Sequence, residues 1–247
     1  MGRMTEAVKH LLIINVILFF ATQLYGEQME QWLALWFPEN SNFHWWQIIS
    51  HMFMHGGIMH IAFNMLALWM FGTPVERVLG KNRFLFIYFS AGLGAVLFQL
   101  GYYYFNFLPA KSELLSTGLT NDQILQMMST NKLQDGLTNL QVSLVREYAD
   151  IYFARMVGAS GCIMGVLAAF GMMNPEARLM LIFLPIPIKA KYFIPGIILL
   201  DVISALTGQS FFSPSNTAYM AHVGGAIIGF LIMWYWKKNQ FNNNRWD

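Results

Sequence analysis

Residues 8–25 read VKHLLIINVILFFATQLY, and after Lys9 the run carries no formal charge. An apolar run of about 18 residues is long enough, as a helix, to cross the hydrocarbon of a bilayer. A helix is the form such a run must take there, because it satisfies its own backbone where water is absent. Similar runs recur along the 247 residues, of which 56% are hydrophobic and only 11% charged. Soluble domains carry about 25% charged residues, so a greasy soluble core does not account for this composition. Six spans are expected, at about 9–25, 59–71, 84–105, 158–173, 192–206 and 218–236. The second and fourth are short for a bilayer of about 30 Å. Short spans with polar approaches belong inside a bundle, where protein and water satisfy the exposed backbone. The expected fold is all-α: one polytopic six-helix membrane bundle over residues 1–247, with an amphipathic outer loop at 106–155.

Charge orients the bundle. Arg3 and Lys9, then Arg77, Lys81 and Arg83, then Arg178, Lys189 and Lys191, then Lys237, Lys238 and Arg245 make 11 of the 15 Lys and Arg residues. Six spans place all of these on one side, and the positive-inside rule makes that side cytoplasmic, with both termini. An odd number of spans would break the alternation. The net charge of +2 gives no case for nucleic acid, and Cys162 is the only cysteine. A disulfide within the chain and a thiolate metal site are both excluded. The first run lacks a small-residue cleavage site, which marks a retained helix rather than a removed signal.

Two outer segments stand apart. Residues 26–50 hold Trp32, Trp36, Trp45 and Trp46, a density that suits a loop in the membrane interface. Residues 106–155 are too long for a simple connection. There Thr120-Asn121-Asp122-Gln123 reads as a capping box, with apolar residues recurring at Ile124, Leu125 and Met128 and at Leu133, Leu137, Leu140 and Leu144. One or two amphipathic helices are expected, as a lid, a dock or a cap.

Reactive side chains sit at two span starts. Gly158-Ala159-Ser160-Gly161 opens the fourth span and Ala221-His222-Val223-Gly224-Gly225 the sixth. A hydroxyl gains nothing from hydrocarbon. Both spans enter from the outside, so at 1.5 Å per residue Ser160 and His222 lie at one level near the outer surface. The pairs Gly161/Gly165 and Gly225/Gly229 give each helix a small face on which backbones can approach. A lone membrane serine usually bonds back to its own helix. The matched depth and the imidazole argue instead for a nucleophile and its base. A third element is His51-x3-His55-x4-His60-x3-Asn64. His60 and Asn64 share a helix face and offer N–H donors for a developing oxyanion. The competing readings are zinc at His51 and His55, for which no carboxylate ligand is near, and a transport path lined by these side chains, which leaves Ser160 without a role.

Together these motifs resemble the rhomboid intramembrane serine proteases, and Val75-Glu76-Arg77-Val78-Leu79-Gly80 is similar to that family's cytoplasmic turn. The resemblance covers about residues 43–236, apart from the long third loop. It implies a rhomboid-like six-helix bundle around a water-filled cavity open to the outer side. Ser160 would be the nucleophile and His222 the general base, a dyad with no acid. His60, Asn64 and the Ser160 N–H would form the oxyanion hole. His51, His55 and Glu76 would be structural or water-handling. Substrates would be transmembrane proteins cut near the outer end of a helix, with no cofactor and no metal. The location would be a bacterial inner membrane. A non-catalytic, membrane-protein-binding relative is the alternative. Met164 departs from the family, which often has an aromatic residue there to stack on the histidine. Asp201, an acid within the fifth span, is expected to make a structural hydrogen bond to nearby Ser204 rather than to complete a triad.

Overall fold

The computed structural model describes residues 3–181, 184–209 and 218–240. The chain begins with α1, Glu6–Tyr25, whose apolar run needs a satisfied N-terminus inside protein. No local side chain caps it. The buried Glu76 does so from 68 to 71 residues away, accepting from the Thr5 hydroxyl and from the Ala7 and Val8 N–H groups at 2.8 and 2.9 Å. A carboxylate at a helix N-terminus also meets the positive end of its dipole. A strap follows, with α2 (Glu27–Leu33), the two-residue strand β1 (Leu35–Trp36) and α3 (Gln47–Ser50), which runs into a 3-10 turn, His51–Phe53. Trp32 and Trp45 are exposed, as an interfacial loop requires, whereas Trp36 is buried.

The second span differs from the sequence reading, which ended it at 71. The helix α4, Ile58–Ala67, continues through a π-helical turn, Leu68–Gly72, into α5, Thr73–Leu79. Pro74 would end an ordinary helix interior, and here it falls in the first turn after the widened one. The third span is longer too. Its helix α6 runs Lys81–Ser116 and projects past residue 105, through Pro109.

That projection carries the long segment that follows it. The helices α7 (Asn121–Thr130) and α8 (Asn139–Tyr152) both start with complete capping boxes, on Thr120 with Gln123 and on Thr138 with Gln141. Their apolar faces meet Phe37, Phe107 and Leu114 in a core of their own around Ile124, Met127 and Tyr148. The long loop is thus an ordered cap seated on the end of α6. From it the strand β2, Arg155–Met156, pairs antiparallel with β1 and delivers the chain to residue 158.

The fourth span, α9 (Ser160–Met173), is about 21 Å long at 1.5 Å per residue. It is tolerated because residues 161–170 are all buried by protein. The hairpin β3 (Arg178–Leu181) and β4 (Leu184–Lys189) leads into α10 (Ala190–Thr207), and α11 (Tyr219–Gln240) closes the bundle. Among the described residues, five helical segments are long and apolar enough to span a membrane, and α9 is a further, shorter apolar helix. The chain is an all-α, polytopic integral membrane bundle, as expected.

Contacts between distant charged and aromatic groups gather one end of it. Arg77 donates to the Arg3 carbonyl at 3.0 Å, Lys81 pairs with Glu6 at 3.0 Å, and the Arg83 guanidinium lies 5.6 Å from the Trp236 ring centre. The basic groups near residues 3, 80 and 237 therefore share one end, in line with the charge argument. Arg245 lies outside the described residues.

Candidate active site

Glycine fixes how closely three helices approach. A Cβ on Gly161 would lie 2.5 Å from Ala95 Cβ on α6, and one on Gly224 would lie 2.5 Å from the Gly94 carbonyl oxygen. Side chains at Gly225 and Gly229 would overlap the Gly161 and Gly165 carbonyls. So α6, α9 and α11 touch backbone to backbone, the close approach that small residues permit in membranes.

This contact sets Ser160 and His222 side by side. Ser160 opens α9 and His222 lies in the first turn of α11. Ser160 Oγ is 2.9 Å from His222 Nε2. The first turn of α11 is held from α6 by the buried Gln99, whose Oε1 accepts from the Ala221 N–H at 3.1 Å. Gln99 was not singled out from the sequence, since a glutamine mid-span signals only that it must find a partner.

The approach to Ser160 is built from the loop. Gly158 has φ +126° and donates to the His51 carbonyl at 2.9 Å. A Cβ there would lie 2.8 Å from His60 Nε2 and 3.7 Å from Ser160 Oγ, so the His60 ring stands beside the serine. The Gly56 N–H donates to His60 Nδ1 at 3.4 Å. That bond makes Nδ1 the acceptor and leaves the proton on Nε2, on the Gly158 side. The first N–H groups of α9 have no intrahelical acceptor. Asn64 is buried and uses an amide N–H on the His60 carbonyl at 2.9 Å, so in this state its bond is local, and its second N–H is the one left for a ligand.

His51 and His55 are both buried. His51 Nδ1 lies 2.8 Å from the Gln47 carbonyl, and the His55 ring packs edge-on against His60, centres 5.1 Å apart. Burial holds the His51 imidazole down to about 4 and that of His55 to about 3, so both are neutral at pH 7. Met164 sits in the main apolar core.

Asp201 requires a correction. Its Oδ2 lies 3.1 Å from His222 Nδ1, with both side chains largely buried. The expected local partner, Ser204, is buried on the same helix, but the carboxylate reaches across to α11. Serine, imidazole and carboxylate thus form one hydrogen-bonded row, from three different helices.

The rhomboid domain family matches residues 42–120 and 127–239. The rhomboid protease AarA of Providencia stuartii is 29% identical over 197 residues, covering 76% of this chain and 54% of its own. The mitochondrial presenilin-associated rhomboid-like protein of Rattus norvegicus is 30% identical over 184 residues, covering 74% of this chain and 35% of its own. The rhomboid protease GluP of Bacillus subtilis is 40% identical over 85 residues, 32% of this chain and 17% of its own. The match therefore spans only about half or less of the length of these relatives.

Proposed function

The chain belongs to the rhomboid family, and from that premise we propose that it is an intramembrane serine endopeptidase acting on transmembrane proteins. The observation that carries this reading is the 2.9 Å contact between Ser160 Oγ and His222 Nε2 at the start of two touching helices. His222 takes the hydroxyl proton as Ser160 Oγ attacks the scissile carbonyl carbon, and the carbonyl electron pair moves to oxygen. His60 Nε2–H, the free amide N–H of Asn64 and the Ser160 backbone N–H are the donors for that oxyanion. Collapse breaks the C–N bond, and the leaving amine receives its proton from His222. Water then attacks the acyl-enzyme, His222 again taking and returning the proton, and a carboxylic acid departs. A substrate helix must unwind near its outer end to present a carbonyl here, and a small residue before the cut is the preference that membership of the family suggests.

The neutral His51 and His55 act on the shape and hydration of the loop rather than as bases. The relatives named above include both bacterial proteases and a mitochondrial protein, so the reading extends to an integral membrane and not to one compartment.

The test is Ser160→Ala in proteoliposomes containing a single-span substrate, alongside labelling by a fluorophosphonate probe. Cleavage and labelling should vanish in the folded variant, and a chelator should change neither. Cleavage by Ser160→Ala would overturn the serine mechanism. A wild-type protein that neither cleaves nor labels would be a non-catalytic binder.

A further inference from the structure

We propose that Asp201 is the positioning residue for His222: its carboxylate, carried in by α10, holds the Nδ1 proton and so leaves Nε2 free to accept from Ser160. The inference rests on the serine-protease reading and deepens it. An ionised carboxylate only accepts hydrogen bonds. At 3.1 Å from Nδ1 it selects the tautomer with the proton on that nitrogen, and the Ser160 hydroxyl then faces the bare Nε2 at 2.9 Å. The ring is gripped at both nitrogens by different helices, α10 and α9, so a flip would break both bonds. When Nε2 takes the serine proton, the imidazolium faces the carboxylate, which stays ionised and offsets the new charge.

The setting makes an idle role costly. Asp201 lies in an apolar helix, where an acid needs a partner. Among the described residues, His222 is its ion-pair partner. The other groups facing His222 are Ser160 from α9 and, at electrostatic range, His60 from α4. The Ser160 hydroxyl can either donate to Nε2 or accept from it, so it does not by itself select a tautomer. The seam of glycines holds the serine and the histidine together, and among the described residues Asp201 is the partner of Nδ1 that fixes which nitrogen of His222 carries the proton.

Asp201→Asn separates this role from packing, since the amide fills the same space and can hydrogen-bond. It can also donate to Nδ1, placing the imidazole proton on Nε2 and blocking acceptance from Ser160. Labelling of the full-length protein by a fluorophosphonate should then show a maximal rate lowered by roughly 10²–10⁴-fold, with half-saturating probe concentration and melting temperature unchanged. A rate within about threefold of wild type would reduce Asp201 to packing and overturn the proposal. Should the variant not fold, histidine-selective ¹⁵N spectra of the wild-type protein decide. The His222 signal, assigned by its loss in His222→Gln, should report Nδ1 protonated, and an Nε2-protonated neutral ring would overturn the proposal. Ser160→Ala runs in parallel. If it still labels, the serine reading fails. If it does not label while Asp201→Asn reacts normally, only the role of Asp201 fails.

Discussion

Gly161→Ala tests whether the close helix seam, rather than the identity of the reacting residues alone, sets the reaction rate. The new Cβ would lie 2.5 Å from Ala95 Cβ, where carbon atoms need about 3.5–4.0 Å. The neighbouring turn of α9 must therefore move from α6 by about 1 Å or more. His222 cannot follow, because α11 is held to α6 at Gly224 and through Gln99. The 2.9 Å contact between Ser160 and His222 then opens beyond hydrogen-bond range. A misplacement of about 1 Å costs on the order of 10²-fold in rate, and overpacking costs about 1–3 kcal/mol in stability. The assay is fluorophosphonate labelling with a thermal melt in the same detergent. Ala95→Gly removes the opposing methyl, so the double variant Gly161→Ala/Ala95→Gly should recover labelling to within a few-fold of wild type. It should stay about 1 kcal/mol less stable for the added mid-helix glycine. Normal labelling in the single variant, or no recovery in the double, would refute the seam as the determinant.

Glu76→Ala should destabilise the protein by about 4–5 kcal/mol, taking its three hydrogen bonds at the low end of the about 1.5–3 kcal/mol that each bond to a charged acceptor is worth, and the melting temperature should fall without loss of labelling per folded molecule. Asn64→Ala should slow substrate turnover by about 10²-fold rather than abolish it; a loss as complete as that in Ser160→Ala would give Asn64 a role beyond stabilising an oxyanion. Stability should also fall with acid. His51 and His55 are held near 4 and 3 in the folded state, below the ordinary value of 6.5. As pH drops through 6.5 the unfolded chain therefore takes up protons that the folded one refuses. The stabilisation is full above about 6.5 and declines toward pH 4, by up to about 1.4 kcal/mol per pH unit for each histidine. Melts between pH 7.5 and 4.5 should show a shallower decline in His55→Gln, and parallel declines would contradict the assignment.

The spans were legible because hydropathy is local, and Ser160 and His222 because depth follows from residue counts along known directions. What was not legible depended on partners far along the chain. The turn beyond residue 71 holds Glu76 and Arg77, which look like a loop until Glu76 is seen capping α1. Lys111 and Pro109 likewise mimic a connection, yet α6 continues because Phe107, Ala110 and Leu114 are buried on its outer end. The Thr120 capping box was read correctly, and the equivalent pattern at Thr138 and Gln141 was there to be read by the same rule. Asp201 was flagged as an anomaly but matched with Ser204, three residues off. Nearness in sequence was a poor guide when the real partner was 21 residues on, across a helix pair.

The three helices that touch through glycine supply Ser160, His222 and Gln99, while Asp201 arrives on α10, the least buried of the five long apolar helices. The reacting pair thus rests on a seam of backbone contacts, and the carboxylate sits on a helix outside that seam. A substitution that displaces α10 should therefore withdraw the carboxylate from His222 Nδ1 while the contact between Ser160 and His222 stays in place.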